Sequence, residues 1–234
     1  MKIAFISDLH GNYTATQALE KALQNHDVDQ VICLGDIVGK GPNSHLTMDW
    51  ALANCNIVLG GNWDYGLASK KYPRDAFYWE QLGEERLQKL AQLPPEHCIE
   101  YAGNHIRCIH GRPIMEELLH STADSEAFEA LLNNGKQHFN VLIYGDMHRQ
   151  LVRTVNGAHI INSGSVGNAL GLGRVCYAIL ELWESGAYSI QLCSHPYNRE
   201  LAVEEAKAQL ALPYLEEYIN EIENAKYVRR IFTL

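Results

Sequence analysis

The chain has 234 residues, long enough to bury a substantial core and to fold as one α/β domain. Apolar residues make up 47 %, the share expected of a globular protein. The formal net charge of −9 argues against tight sequence-independent binding of DNA or RNA, which needs a basic footprint, yet it leaves phosphate esters open as substrates because metal ions can supply local positive charge.

Residues 2–6 (Lys-Ile-Ala-Phe-Ile) read as a buried strand. Residues 13–25 read as a helix, with Ala15, Ala18, Leu19, Ala22 and Leu23 on one face and Asn12 as N-cap. A strand at 30–34, a helix at 44–54 and a strand at 56–59 complete a βαβαβ start, which implies a largely parallel sheet. Residues 65–95 interrupt the alternation. Within them Trp79, Leu82, Leu87, Leu90 and Leu93 mark an amphipathic helix ending at Pro94-Pro95, and we read this insertion as a partial helical cap. Segments 98–102 and 105–109, around Gly103-Asn104, form a predicted hairpin. A helix over 124–133 and a strand over 140–144 follow. Two more hairpins are expected, 151–155 with 158–161 around Asn156-Gly157, and 174–183 with 187–193 around 184–186. The extension from 199 to 234 is helical and charged, over about 199–210 and 213–226. Its stripe of Leu215, Tyr218, Ile219 and Ile222 reads as core packing. The whole chain is expected to form a single domain.

The six cysteines lack any C-x-x-C pair, so a disulfide framework is not expected. No stretch approaches the roughly 20 apolar residues of a membrane-spanning helix, and the chain opens on a strand without a basic leader. A cytoplasmic protein without membrane partners is the expectation.

Five of the strand-like runs end in acid, amide or histidine motifs. These are Ser7-Asp8-Leu9-His10-Gly11-Asn12, Gly35-Asp36, Gly61-Asn62-Trp63-Asp64, His110-Gly111 and Gly145-Asp146-Met147-His148. Open α/β sheets bind ligands at the carboxyl ends of their strands, so five such ends suggest one convergent site. Imidazoles mixed with hard oxygen donors suit divalent metals, and two ions together would make a hydrolytic centre.

In order and type these motifs resemble the calcineurin-like metallophosphoesterases, whose signature runs D-x-H, G-D, G-N-H-D/E, H and G-H-x-H. The resemblance spans roughly residues 1 to 195. It is closest to a small bacterial and archaeal phosphodiesterase branch, through Leu34-Gly35-Asp36-Ile37-Val38-Gly39-Lys40-Gly41-Pro42 and Asn162-Ser163-Gly164-Ser165-Val166-Gly167. It implies a four-layer α/β/β/α sandwich of two mixed sheets. It also implies a dinuclear centre that hydrolyses phosphodiesters or activated phosphomonoesters by in-line attack of a metal-bound hydroxide. Asp8, His10, Asp36 and His148 would hold one ion. Asp36, Asn62, His110 and Asp146 would hold the other, with Asp36 bridging. Asp36, Asn62 and Asp64 are the residues expected to serve catalysis, Asp64 by orienting a ligand.

Two positions depart from the family. Trp63 stands where a catalytic histidine is usual, and Asp146 replaces the first histidine of G-H-x-H. A third carboxylate would favour hard ions such as Mn²⁺ or Mg²⁺ over Zn²⁺; Mn²⁺ is the first expectation, with iron, Zn²⁺ and Mg²⁺ also open. An indole is no general acid, a role typically worth ~10²–10⁴-fold. Trp63 could instead present a flat face to a substrate ring, and Arg112 could touch a phosphate. His45, Arg112 and Lys40 sit in loops that could supply another donor. The rival reading is a metal-binding pseudoenzyme that retains a phosphate ligand. A nuclease is the third reading, and the acidic charge weighs against it.

Overall fold

The computed structural model describes residues 1–227. The expected βαβαβ start is present as β1 (Lys2–Ile6), α1 (Tyr13–Leu23), β2 (Gln30–Cys33), α2 (Ser44–Asn54) and β3 (Ile57–Val58). Asn12 caps α1, its side-chain oxygen accepting from the Ala15 N–H at 3.1 Å. Next come α3 (Asn62–Ala68) and α4 (Ala76–Ala91). The buried face of α4 is Tyr78, Leu82, Leu87 and Leu90 rather than a stripe starting at Trp79. Gly83, at φ 69 and ψ 166, breaks the helical period between them. The helix lies against α2 and α3.

The first hairpin pairs β4 (Glu96–Tyr101) with β5 (Asn104–Ile109). Its two-residue turn is Ala102-Gly103, with φ of 48° and 81°, one residue earlier than the sequence suggested. The predicted helix over 124–133 is shorter: α5 (Ser125–Glu129) tightens into a 3₁₀ turn over Ala130–Leu132. Then follow β6 (Val141–Tyr144), β7 (Gln150–Val155), β8 (Ala158–Ser163), β9 (Val175–Leu182), β10 (Tyr188–His195), α6 (Arg199–Lys207) and α7 (Leu215–Asn224). Asn156-Gly157 forms the β7–β8 turn, both residues at positive φ, as expected of that dipeptide. The expected helical extent to 226 is cut short at Asn224, and the last residues of the extension lie outside the described range.

The strands form two five-stranded mixed sheets, ordered β10-β9-β1-β2-β3 and β4-β5-β6-β8-β7. Within the first, β1, β2 and β3 run parallel. Within the second, β5, β6 and β8 run parallel. The apolar runs explain the stacking. In β1, Ile3 and Phe5 face a core shared with Ile106, Cys108, Val141 and Ile143 of the other sheet. Ala4 and Ile6 face a second core with Leu19, Leu90, Ala206 and Ile222 from helices. A third core sets Phe128 and Leu132 against Leu142, Tyr144 and Ile160. Helix, sheet, sheet and helix therefore form four layers, as the resemblance implied. Tyr218 and Ile222 of α7 are buried, as its stripe predicted. All six cysteines are free thiols. No helix among the described residues is long and apolar enough to cross a membrane.

Candidate metal centre

Parallel strands place their carboxyl ends together, and β1, β2 and β3 of one sheet meet β5 and β6 of the other at a single edge. The loops leaving them are tightly wound. Asp8, His10, Asp36, Asp146 and His148 all have φ between 45° and 65°, a region that non-glycine residues seldom occupy. Such strain gathers where side chains must be aimed at one point. Close approach of loops supplies the restraint. A Cβ on Gly61 would lie 2.2 Å from Asp36 Oδ1 and 2.7 Å from the Asp36 N. Gly61→Ala should therefore displace the Asp36 loop, abolish metal uptake and lower stability by about 1–3 kcal/mol. Parallel melting curves and Mn²⁺ titrations check both effects, and a variant with wild-type uptake would deny the tight fit.

The first cluster is Asp8, His10 and His148, all buried. His10 Nδ1 lies 3.2 Å from the Val38 carbonyl oxygen, and His148 Nδ1 lies 2.7 Å from that of Asn168. A carbonyl only accepts, so each Nδ1 carries a proton, and an uncharged ring then holds its lone pair on Nε2. Those two Nε2 atoms are 3.1 Å apart. Two lone pairs facing at that distance repel unless a cation stands beside them. Asp8 Oδ1 is 3.2 Å from His148 Nε2 and 3.5 Å from His10 Nε2.

The second cluster is Asp8, Asp36 and His110. His110 Nε2 is 3.3 Å from Asp36 Oδ2 and 3.9 Å from Asp8 Oδ1. Asp36 Oδ2 is also 3.6 Å from His10 Nε2, so this carboxylate lies between the two groups. Asp8 belongs to both groups and is the other carboxylate placed to link them. Asp8 Oδ1, Asn62 Oδ1 and both His110 nitrogens are buried without a hydrogen-bond partner. Each such group costs about 1–3 kcal/mol if left so, and native proteins hold few. Imidazole nitrogens, a carboxylate oxygen and an amide oxygen buried without partners are a donor set that fits divalent cations.

Asp146 occupies the expected position, with Oδ1 3.9 Å from His110 Nε2. Both its oxygens are engaged by Arg112, Nη2 donating to Oδ1 at 2.6 Å and Nε to Oδ2 at 2.8 Å. This fork sets a guanidinium charge against the carboxylate. Asp64 is buried, and its two oxygens accept from the N–H groups of Asp36, Ile37 and Gly61 at 2.7–3.0 Å. Its carboxylate thus ties the β2 and β3 loops together. The Trp63 ring lies against Gly39 and meets His10 and Tyr78 edge-on, with centroids 5.9 and 6.3 Å away. Its main-chain N–H donates to Asp36 Oδ1 at 2.8 Å.

Sequence reasoning passed over two supports. Ser165 Oγ donates to the Asp8 carbonyl at 2.8 Å, and Asn168, whose carbonyl holds His148, donates through Nδ2 to the buried Glu221 at 2.8 Å. Ser165 sat inside a recognised motif. Glu221 carried no local signal, being 53 residues from Asn168.

The electrostatics separate the histidines. Burial, reinforced by the Lys40 ammonium, pulls His10 down to about 3. Burial pulls His110 down as well, but Asp36, Asp8 and Asp146 outweigh it and raise this imidazole to about 10. Burial pushes Asp8 and Asp36 up, and their neighbouring histidines more than offset that, leaving both below the usual carboxylate range. Burial and then Asp36 push Asp64 up to about 7, against the pull of its N–H donors.

Residues 1–185 match the family model described as the calcineurin-like phosphoesterase superfamily domain. An uncharacterized protein of Methanocaldococcus jannaschii is 27 % identical over 205 residues, covering 76 % of this chain and 82 % of its own. The crystal structure of a metallophosphoesterase from Sphaerobacter thermophilus superposes with a TM-score of 0.76 at 26 % identity, covering 96 % of this chain and 100 % of that one. A hypothetical protein from Pyrococcus horikoshii OT3 shares the fold, with a TM-score of 0.81 at 18 % identity over 97 % and 99 % of the two chains.

Proposed function

Because the chain belongs to the calcineurin-like phosphoesterase superfamily, we propose that it is a dinuclear-metal phosphoester hydrolase acting on small phosphodiesters or activated phosphomonoesters. The observation that carries this reading is the pair of buried groups, Asp8, His10 and His148 in one and Asp8, Asp36 and His110 in the other, the ligand atoms of each lying within 4.8 Å of one another. Asp8, His10 and His148, with Asp36 in reach, would hold one ion. Asp8, Asp36, His110 and Asn62 would hold the other, with Asp146 beside it. When bound, the two ions would neutralise phosphoryl oxygens and acidify the attacking water. The carboxylate and amide oxygens suit Mn²⁺, our first choice, and Mg²⁺, while the imidazoles keep iron and Zn²⁺ as alternatives.

The protein's own residues set the rest. Asp64 fixes the β2 and β3 loops, and hence the aim of Asp36 and Asn62. Arg112 is held by Asp146, and its side chain remains 37 % exposed, so it can meet a phosphate oxygen without leaving the fork. Trp63 gives the site a wall and no proton. Free thiols suit a reducing compartment, and we read the enzyme as cytoplasmic.

The test is metal analysis of the purified protein, with turnover of an aryl phosphodiester and an aryl phosphomonoester before and after chelation and Mn²⁺ return. Metal-dependent turnover supports the proposal. Bound metal without turnover of any ester would favour the pseudoenzyme, the reading to which Trp63 lends weight.

The proton on His110 gives a second check. At about 10 the metal-free imidazole is protonated through the neutral range, and a metal ligand must be neutral. Uptake at this histidine should thus release about one proton, and affinity should rise about tenfold per pH unit until the pH reaches that value. His10, at about 3, has no proton to release in the same range. Calorimetry at pH 7.5 in buffers of different ionisation heats reads the release directly. Metal uptake with no proton released would remove His110 from the ligand set.

A further inference from the structure

Lys40 lies in the loop after β2, with its backbone in the left-handed region at φ 56 and its side chain buried. Lysine is among the residues least often buried, because an ammonium must keep hydrogen-bond partners when it leaves water. Its Nζ is 3.1 Å from His148 Nε2 and 6.0 Å from the centre of the Trp63 ring. The direction of the first contact follows from the tautomer. His148 Nδ1 donates to the Asn168 carbonyl at 2.7 Å, so Nε2 holds a lone pair, and an ammonium can only donate. Lys40 therefore hydrogen-bonds the one electron pair that His148 can offer a metal.

That electron pair cannot serve a proton donor and a metal at once. We propose that Lys40 is a resident cation of the first metal position: it engages His148 Nε2 in the metal-free protein and must withdraw for an ion to bind there. The inference rests on the reading of Asp8, His10 and His148 as ligands of that ion. Its consequence is a selective loss of affinity. The ion beside Lys40 is opposed by a positive charge and by a hydrogen bond that has to break.

The experiment compares Mn²⁺ binding by wild type, Lys40→Met and Lys40→Gln, using calorimetry and the electron paramagnetic resonance of free Mn²⁺. Both substitutions should tighten one of two ions by tenfold or more and leave the other within about threefold. Unchanged binding of both ions, or weaker binding of either, overturns the proposal. The weaker result would mean that Lys40 supports the ligands instead of competing with them. Folded wild type and variants that all bind no Mn²⁺ would overturn the metal reading beneath it, which is a separable failure. Should neither variant fold, wild-type protein suffices. Amine labelling read by mass spectrometry should find Lys40 protected without metal and more reactive at saturating Mn²⁺, with exposed Lys136 unchanged. Equal labelling of Lys40 in the two states refutes the displacement.

Discussion

Replacing Asp36 by Asn should lower kcat/KM for any phosphoester by roughly 10³-fold or more, since the centre is asked to supply several kcal/mol of transition-state stabilisation. The Asp36 carboxylate reaches both groups, 3.3 Å from His110 and 3.6 Å from His10. Asn keeps one oxygen, which can still accept the Trp63 N–H, so the loop should keep its shape. It loses the negative charge, and it presents an N–H₂ donor where a metal needs an acceptor. The expected result is a folded protein with little bound metal. His110 supplies an internal control. Asp36 is the foremost of the carboxylates that raise its imidazole, so the metal-free variant should titrate His110 well below about 10. Asp8→Asn is the matching comparison, because Asp8 lies in both clusters. If Asp8→Asn strips both ions while Asp36→Asn keeps one, Asp8 is the bridge. A fully active Asp36→Asn protein would remove the site assignment altogether.

Much of the fold was legible because local physics decides it. The βαβαβ start follows from apolar runs buried on both faces, and β1 shows why alternation was absent there: Ile3 and Phe5 enter one core, Ala4 and Ile6 another. Asn156-Gly157 placed its turn because both residues tolerate positive φ. The first hairpin slipped by one residue because Ala102 accepts a left-handed conformation for which its type gives no signal. At the site, the spacing of acids and histidines after strands was readable, since each motif is contiguous. Charge compensation was not. Read alone, Asp146 adds a negative charge to the centre. In the fold, Arg112, 34 residues away in sequence, grips both of its oxygens, so the pair brings little net charge. The Lys40–His148 contact spans 108 residues and was equally hidden. Such pairings depend on which loops the two sheets bring to one edge, and residue spacing within a motif does not encode that.

Trp63 should make the rate depend steeply on the leaving group. The indole cannot protonate a departing alkoxide, so wild-type kcat/KM should fall as leaving-group pKa rises across a graded ester series. Trp63→His should flatten that dependence. The gain should be small for nitrophenyl esters, whose phenolate departs unaided, and should approach the ~10²–10⁴-fold of general acid catalysis for alkyl esters. The substitution is tolerable on structural grounds. The contact from residue 63 to Asp36 is made by main chain and survives. The smaller ring leaves space against Gly39 and Tyr78, and at a half-buried position that keeps an aromatic ring the cost should stay below the roughly 3–5 kcal/mol of a full Trp truncation. The readout separates chemistry from packing. A loss of activity uniform across all esters would assign Trp63 to wall-building or substrate stacking. A wild-type rate already insensitive to leaving-group pKa would mean that another group donates the proton or that chemistry does not limit turnover, and the two are distinguished by whether a pre-steady-state burst precedes product release.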